Sequence, residues 1–182
     1  MLICVYMATY ETTTIILFPV ILLVTGVAME LLLEARKHPT ETSDKPIGAS
    51  DLKGMFGYGA VAFVAMFATG AAINFIEPAS VMQITGYDAL LYTVLIAIAE
   101  EQFFRGFITD YLLATVSQPY LALGGAAAIF GVFHLAVYHT SVNSLLYVFV
   151  GGFILSWVAY KSRRLSPGIV AHVINNIWSV LG

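Results

Sequence analysis

The sequence predicts an all-α, polytopic membrane protein, a bundle of about six transmembrane helices with a four-helix core. Of its 182 residues, 59% are hydrophobic and only 10% are charged, against roughly 25% charged in ordinary soluble domains. The mean hydropathy is +0.87, and a bilayer can cover apolar surface that a soluble core of this size could not. The net charge of −3 offers no basic footprint for nucleic acid.

Six segments are long and apolar enough to cross a bilayer. A crossing needs about 20 mostly apolar residues in helical form, because lipid offers the backbone no hydrogen-bond partner. The segments are residues 12–33, 54–76, 89–113, 121–139, 141–160 and 165–181. The last four follow one another with almost no loop, so we expect them to form a compact antiparallel bundle.

Basic residues predict the orientation of the chain. They concentrate in the polar stretch 34–53 and after the fifth span, two loops that six spans place on the same side. The positive-inside rule makes that side cytoplasmic, so both termini of this multi-pass cell membrane protein are expected to be non-cytoplasmic. The stretch also divides the chain into an N-terminal helix with a polar linker (residues 1–53) and a membrane-embedded core (residues 54–182). The basic residues concerned are Arg36, Lys37, Lys45, Lys53, Lys161, Arg163 and Arg164.

The third span carries two adjacent carboxylates and an arginine close together, Glu100, Glu101 and Arg105. Each ionised side chain in mid-membrane costs at least about 2.5–3.5 kcal/mol on insertion scales. Glu101 and Arg105 are four residues apart and can pair on one helical face, which leaves Glu100 to face a polar cavity. A buried ion pair that only locks helices together is the alternative, and it does not account for Glu100.

The fourth and sixth spans each contain a pair of residues four apart, Phe130 with His134 and His172 with Asn176. This spacing places both members of a pair on one face, as in the two histidines of HExxH metal sites. Phe130 is expected to pack beside His134 and orient its ring. The structural alternative is that the histidines and Asn176, with the adjacent Asn175, only hydrogen-bond neighbouring helices.

Helical rise brings these residues to overlapping depths. Counted at about 1.5 Å per residue from the cytoplasmic helix ends, Glu100 and His134 lie about 20 Å deep. His172 and Asn176 lie at about 10 and 16 Å, on helices expected to be neighbours. A carboxylate, two imidazoles and an amide that converge in a membrane indicate an acid–base site.

Other reactive side chains are assigned structural roles. Cys4 is the single cysteine, which excludes an internal disulfide. It lies far from the cluster, and no G-x-S-x-G motif surrounds a serine. Ser156 is expected to pack between helices. His139, beside Tyr138, is expected to anchor the outer membrane interface.

The three motifs together resemble the CPBP intramembrane proteases, the family of CAAX prenyl endopeptidases and bacteriocin-processing or immunity (Abi-type) proteins. The family pattern is EExxxR, FxxxH and HxxxN on separate transmembrane helices. Here it reads Glu100 to Arg105, Phe130 to His134 and His172 to Asn176. The resemblance covers about residues 89–181.

The resemblance implies proteolysis within the membrane. It implies that Glu100 activates water with help from His134. It also implies that His172 and Asn176 stabilise the oxyanion or help to bind a metal, with Glu101 and Arg105 as supports. The chemistry is sound, since a carboxylate removed from bulk water can act as a general base near neutral pH.

A metal-dependent version stays open. In it, His134 and His172 would supply nitrogen ligands and Glu100 or Asn176 an oxygen ligand to zinc, and the metal would activate water as a Lewis acid. Two histidines are few for a tight zinc site and asparagine is a poor zinc ligand, so the sequence favours a mechanism that requires no cofactor.

Two other function classes compete with the protease. A proton-coupled transporter also places Glu and His in the membrane, but along a path and with repeated halves, whereas here the polar groups cluster. A non-catalytic membrane scaffold or immunity protein could retain the same fold. The substrate is left open among prenylated C-terminal peptides, leader peptides and transmembrane segments, all partners found at the bilayer.

Overall fold

The computed structural model describes residues 12–35, 49–76, 87–135 and 142–181, and within these ranges it has no β-strand. The described residues form six continuous helical segments, which confirms the predicted all-α membrane bundle. The segments are α1 (Thr12–Ala35), α2 (Ala49–Ile76), a composite of α3 (Tyr87–Glu101), a π-helix (Gln102–Thr109) and α4 (Asp110–Thr115), then α5 (Pro119–Phe133), α6 (Val142–Ser162) and α7 (Ser166–Leu181).

The outer surface of the helices is apolar. Among the described residues, three helical stretches are long and apolar enough to span a membrane, Leu17–Ala35, Leu52–Ile73 and Val142–Ser162, and α5 is a shorter apolar helix. Val24 and Val64 on α1 and α2 are 61% and 62% exposed. Contiguous exposed apolar faces of this extent suit lipid and not water, so the chain is an integral membrane protein.

Two helices differ from their predicted form. The third span was expected to be one α-helix, but its segment from Gln102 to Thr109 is π-helical, with i→i+5 hydrogen bonds. The fourth helix was expected to reach residue 139, but α5 ends at Phe133 and His134 forms the turn that follows. There the His134 amide donates to the carbonyls of both Phe130 and Gly131, which tightens the last turn.

Some predictions fall outside the described residues. These are the interfacial role of His139 and Tyr138, the position of Cys4, and the polar linker over residues 36–48. The proposed boundary between residues 53 and 54 stays a prediction.

The helices pack so that the third segment, α5 and α7 share one interior. α6 lies against α2 and α5, α7 against α2 and α3, and α1 covers α3 and the π-helix. Small residues allow the close contacts: a Cβ on Gly152 of α6 would lie 3.0 Å from the Phe130 ring and 3.4 Å from the Ala127 Cα on α5. Buried apolar side chains form three clusters around this interior. The first contains Ala62, Met66, Leu155, Val158 and Ala171. The second contains Leu22, Tyr92, Ile96 and Ala99, and the third contains Phe104, Phe130 and Val148.

Candidate active site

A buried ion pair lies at the junction of α3 and the π-helix. Glu101 is fully buried, and Arg105 Nη1 lies 3.0 Å from its Oε1. The predicted pair is therefore present. Arg105 Nη2 also donates to the Gly152 carbonyl at 3.1 Å, so the guanidinium connects the π-helix to α6.

Glu101 also holds His172, a contact that the sequence did not suggest. The His172 Nδ1 lies 2.7 Å from the Oε1 that accepts from Arg105. Because a carboxylate paired with arginine only accepts hydrogen bonds, Nδ1 carries the hydrogen and donates it. Pro167, in the first turn of α7, suits a helix start. The next residue, Gly168, lets the carboxylate approach, since a Cβ there would lie 2.9 Å from Glu101 Oε2.

His134 is fixed by the end of α5. Its Nδ1 lies 2.9 Å from the Phe130 carbonyl oxygen, and since a carbonyl only accepts, Nδ1 carries the hydrogen. The imidazole and the Phe130 ring have centroids 4.3 Å apart. Both contacts restrict the ring, and they turn Nε2 away from its own helix.

Glu100 faces both imidazoles. It is 4% exposed, and its Oε1 and Oε2 each lie 3.7 Å from one Nε2, that of His134 and that of His172 respectively. These distances exceed a hydrogen bond but suit one bridging water. With its Nδ1 hydrogen directed to Phe130 or to Glu101, an imidazole that carries no second proton presents Nε2 as an acceptor. Together with the Glu100 carboxylate, two such acceptors form a site for a molecule that donates hydrogen bonds, such as water.

The Phe130 ring lies at the centre of the cluster. The Arg105 guanidinium carbon lies 4.4 Å above the ring centroid, a cation–π distance. The His172 and Phe104 rings contact it at centroid distances of 6.3 and 4.8 Å. Phe130 thus packs against the Arg105 guanidinium and against both imidazoles.

Asn176 lies one turn beyond His172 on the same face of α7 and is half-buried. Its neighbour Asn175 accepts a hydrogen bond from the Tyr147 hydroxyl at 2.8 Å, which ties α7 to α6. Three of the four residues predicted to be catalytic lie together, since the Glu100 carboxylate faces the Nε2 atoms of His134 and His172. Helix register brings Asn176 to their side of α7.

The side chains of the cluster, two imidazoles and a carboxylate, are donor types that zinc accepts, and tetrahedral ligands at their usual bond lengths lie about 3.4 Å apart. The nitrogen–oxygen distances here are 3.7 Å. Over the described ranges, however, no group of three or more His, Cys, Asp or Glu residues is arranged as a metal site.

One family matches the chain over the segment that contains this cluster. It is described as "Type II CAAX prenyl endopeptidase Rce1-like", and it matches residues 83–178, from just before α3 into the last turn of α7. The chain belongs to this family. Membership in the Rce1-like family confirms the resemblance to CAAX proteases and implies an intramembrane CAAX-type endopeptidase. No curated protein and no solved structure matches the chain.

Among the polar contacts of this Rce1-like protein that the sequence argument missed, three join side chains near the cluster or on neighbouring helices. Gln102 Nε2 donates to the Glu30 carboxylate, Tyr147 donates to Asn175, and Glu101 accepts from His172. Glu30 could have been found, because it is an ionisable residue within an apolar span, the signal that selected Glu100. A tyrosine near a membrane interface is common, so Tyr147 gave no comparable signal.

Proposed function

We propose that the protein is an intramembrane endopeptidase that hydrolyses a peptide bond of a membrane-associated, prenylated peptide with water activated by Glu100. The observation that carries the proposal is the convergence of the His134 and His172 Nε2 atoms on the Glu100 carboxylate, each at 3.7 Å. The substrate class follows from the family description, which names prenylated CAAX substrates.

The proposed reaction begins with water held between Glu100 and the two Nε2 atoms. The water oxygen attacks the carbonyl carbon of the substrate while Glu100 accepts one proton from the water, and a tetrahedral oxyanion forms. His134 assists by accepting the second hydrogen bond of the water. The proton taken from water then passes to the amide nitrogen, the C–N bond breaks as the oxyanion reforms the carbonyl, and the carboxylic acid product and the free amine leave.

Asn176 and His172 are proposed to act on the developing oxyanion. The Asn176 side-chain amide is a donor, and one such donor is typically worth about 3–4 kcal/mol in the transition state. His172 can donate from Nε2 only after a proton reaches it, since its Nδ1 hydrogen is committed to Glu101. Glu101 and Arg105 are proposed as supports that fix the orientation of His172.

The decisive experiment is cleavage of a farnesylated, internally quenched peptide with a CAAX terminus by the full chain reconstituted in lipid. Glu100→Gln keeps the shape of the side chain and removes the base, so we expect the rate to fall at least about 100-fold. Glu34→Gln is the matched control, because Glu34 is exposed on α1, and it should cleave at the wild-type rate.

Folding and metal dependence are tested alongside. The Glu100→Gln protein should unfold at the wild-type temperature, which separates lost chemistry from lost structure. Treatment with 1,10-phenanthroline should leave the wild-type rate unchanged. A folded Glu100→Gln protein that still cleaves would contradict the role proposed for Glu100, and a folded wild-type chain that does not cleave would support the scaffold alternative. Inhibition reversed by zinc would support the metal-dependent mechanism.

A further inference from the structure

The first helix, α1, makes a polar contact with the third segment at the residue after Glu101. Gln102, the first residue of the π-helix, donates from Nε2 to the carboxylate of Glu30 on α1. Both side chains are partly buried. Gln102 lies within the residues matched by the family, which begin at 83, whereas Glu30 lies outside them.

A glycine on α1 brings the two helices together at this point. One turn before Glu30, a Cβ on Gly26 would lie 3.0 Å from the Phe103 Cα, so α1 lacks a side chain where the third segment comes closest. A second glycine, Gly106, leaves room for the Gln102 side chain, since a Cβ there would lie 2.8 Å from Gln102 Nε2. The Glu30–Gln102 contact lies beside the backbone approach at Gly26.

The position of the contact matters because the third segment changes there from an α-helix to a π-helix. The chain is α-helical through Glu101 and π-helical from Gln102, and π-helical turns are rare and are found frequently at functional sites. Glu100 and Glu101 are the last two residues before the change. A shift of the junction along the chain would rotate both carboxylates away from His134 and His172.

We propose that Glu30 is a positioning residue for Glu100 and Glu101, acting through Gln102, and that α1 is part of the catalytic unit. The proposal rests on the proposed function, because it assigns to Glu30 an effect on the same reaction. It differs from a packing role in that the hydrogen-bond acceptor, and not only the volume of the side chain, is required.

The test uses the full chain in lipid and the same farnesylated peptide. Glu30→Leu and Gln102→Leu should each lower kcat about tenfold, the scale expected for misplacement of a catalytic group, with KM within about twofold of wild type. The double variant should be no worse than either single variant, because both remove one contact. Glu30→Gln, which keeps an acceptor oxygen, should restore most of kcat.

A matched control lies one turn further along the same helix. Glu34 is exposed, so Glu34→Leu should keep the wild-type kcat. If Glu30→Leu fails to fold, Glu30→Asp tests the same contact, since it keeps the charge but withdraws the acceptor by one methylene, and it should lower kcat.

The outcomes separate this inference from the proposed function. If Glu100→Gln abolishes cleavage but Glu30→Leu keeps the wild-type kcat, or if the two leucine substitutions add, the inference is overturned and the proposed function stands. If the wild-type chain does not cleave the peptide, the proposed function fails. The inference, which assigns to Glu30 an effect on the same reaction, fails with it.

Discussion

Glu101 Oε1 accepts hydrogen bonds from two residues on different helices, Arg105 at 3.0 Å and His172 at 2.7 Å. This single oxygen therefore sets the relation between the π-helix and α7. The spacing of Glu101 and Arg105 predicted the first contact, because residues four apart share a helical face. The second contact joins residues 71 positions apart, and no local pattern indicates it.

Gly168 gives a test of this arrangement at the level of one atom. A Cβ there would lie 2.9 Å from Glu101 Oε2, too close to be accommodated without moving the carboxylate or α7. We expect Gly168→Ala to lower the rate of peptide cleavage at least about tenfold, since small displacements of catalytic groups cost this much. The measurement is kcat for the farnesylated peptide in lipid.

The matched control for that substitution is Gly124→Ala in α5, where a Cβ would meet nothing within 4 Å. Alanine at a helical position without strain should leave the rate unchanged and raise the stability slightly, by roughly 0.5–1 kcal/mol. Equal rates for the two alanine variants would contradict the role assigned to Gly168.

At the scale of elements, the sequence predicted most helix positions but not the form of the third segment. Apolar length and the polar breaks between spans predict where helices lie, and they placed α2, α6 and α7 within a few residues of their ends. Hydrophobic periodicity does not distinguish an eight-residue π-helix from an α-helix. Some contacts that stabilise the π-helix come from elsewhere in the fold, such as the hydrogen bond from Arg105 to the Gly152 carbonyl.

One support of the π-helix is local. The Thr109 hydroxyl donates to the Phe104 carbonyl at 2.8 Å and lies 3.3 Å from the Ser156 hydroxyl on α6. Thr109→Val keeps the shape and removes both interactions, and a buried hydrogen bond contributes about 1 kcal/mol. We expect the unfolding temperature in detergent to fall by about 2–4 °C.

Thr115→Val is the comparison for that variant. The Thr115 hydroxyl makes a similar bond, to the Tyr111 carbonyl at 2.8 Å, but it is exposed, so its loss should shift the unfolding temperature by less. If Thr115→Val destabilises the protein as much as Thr109→Val does, the buried contact has no special part in holding the π-helix.

At the scale of the whole molecule, the packing agrees with the predicted orientation. Tyr58 contacts Trp157, and Met66 lies against Gly151, so α2 and α6 run antiparallel. The start of α2, with Lys53, and the end of α6, with Lys161, therefore lie at the same end of the bundle. The rule that places basic loops in the cytoplasm requires them to share a side.

That orientation can be measured with single cysteines in a Cys4→Ser chain. Lys53→Cys and Lys161→Cys should react with a membrane-impermeant maleimide in sealed inside-out vesicles and be protected in right-side-out ones, because the basic end is predicted to face the cytoplasm. Val142→Cys, at the opposite and exposed end of α6, should show the reverse pattern. Labelling of Lys53→Cys and Lys161→Cys from opposite sides would contradict the antiparallel packing. Labelling of both from outside would invert the orientation and place both termini in the cytoplasm.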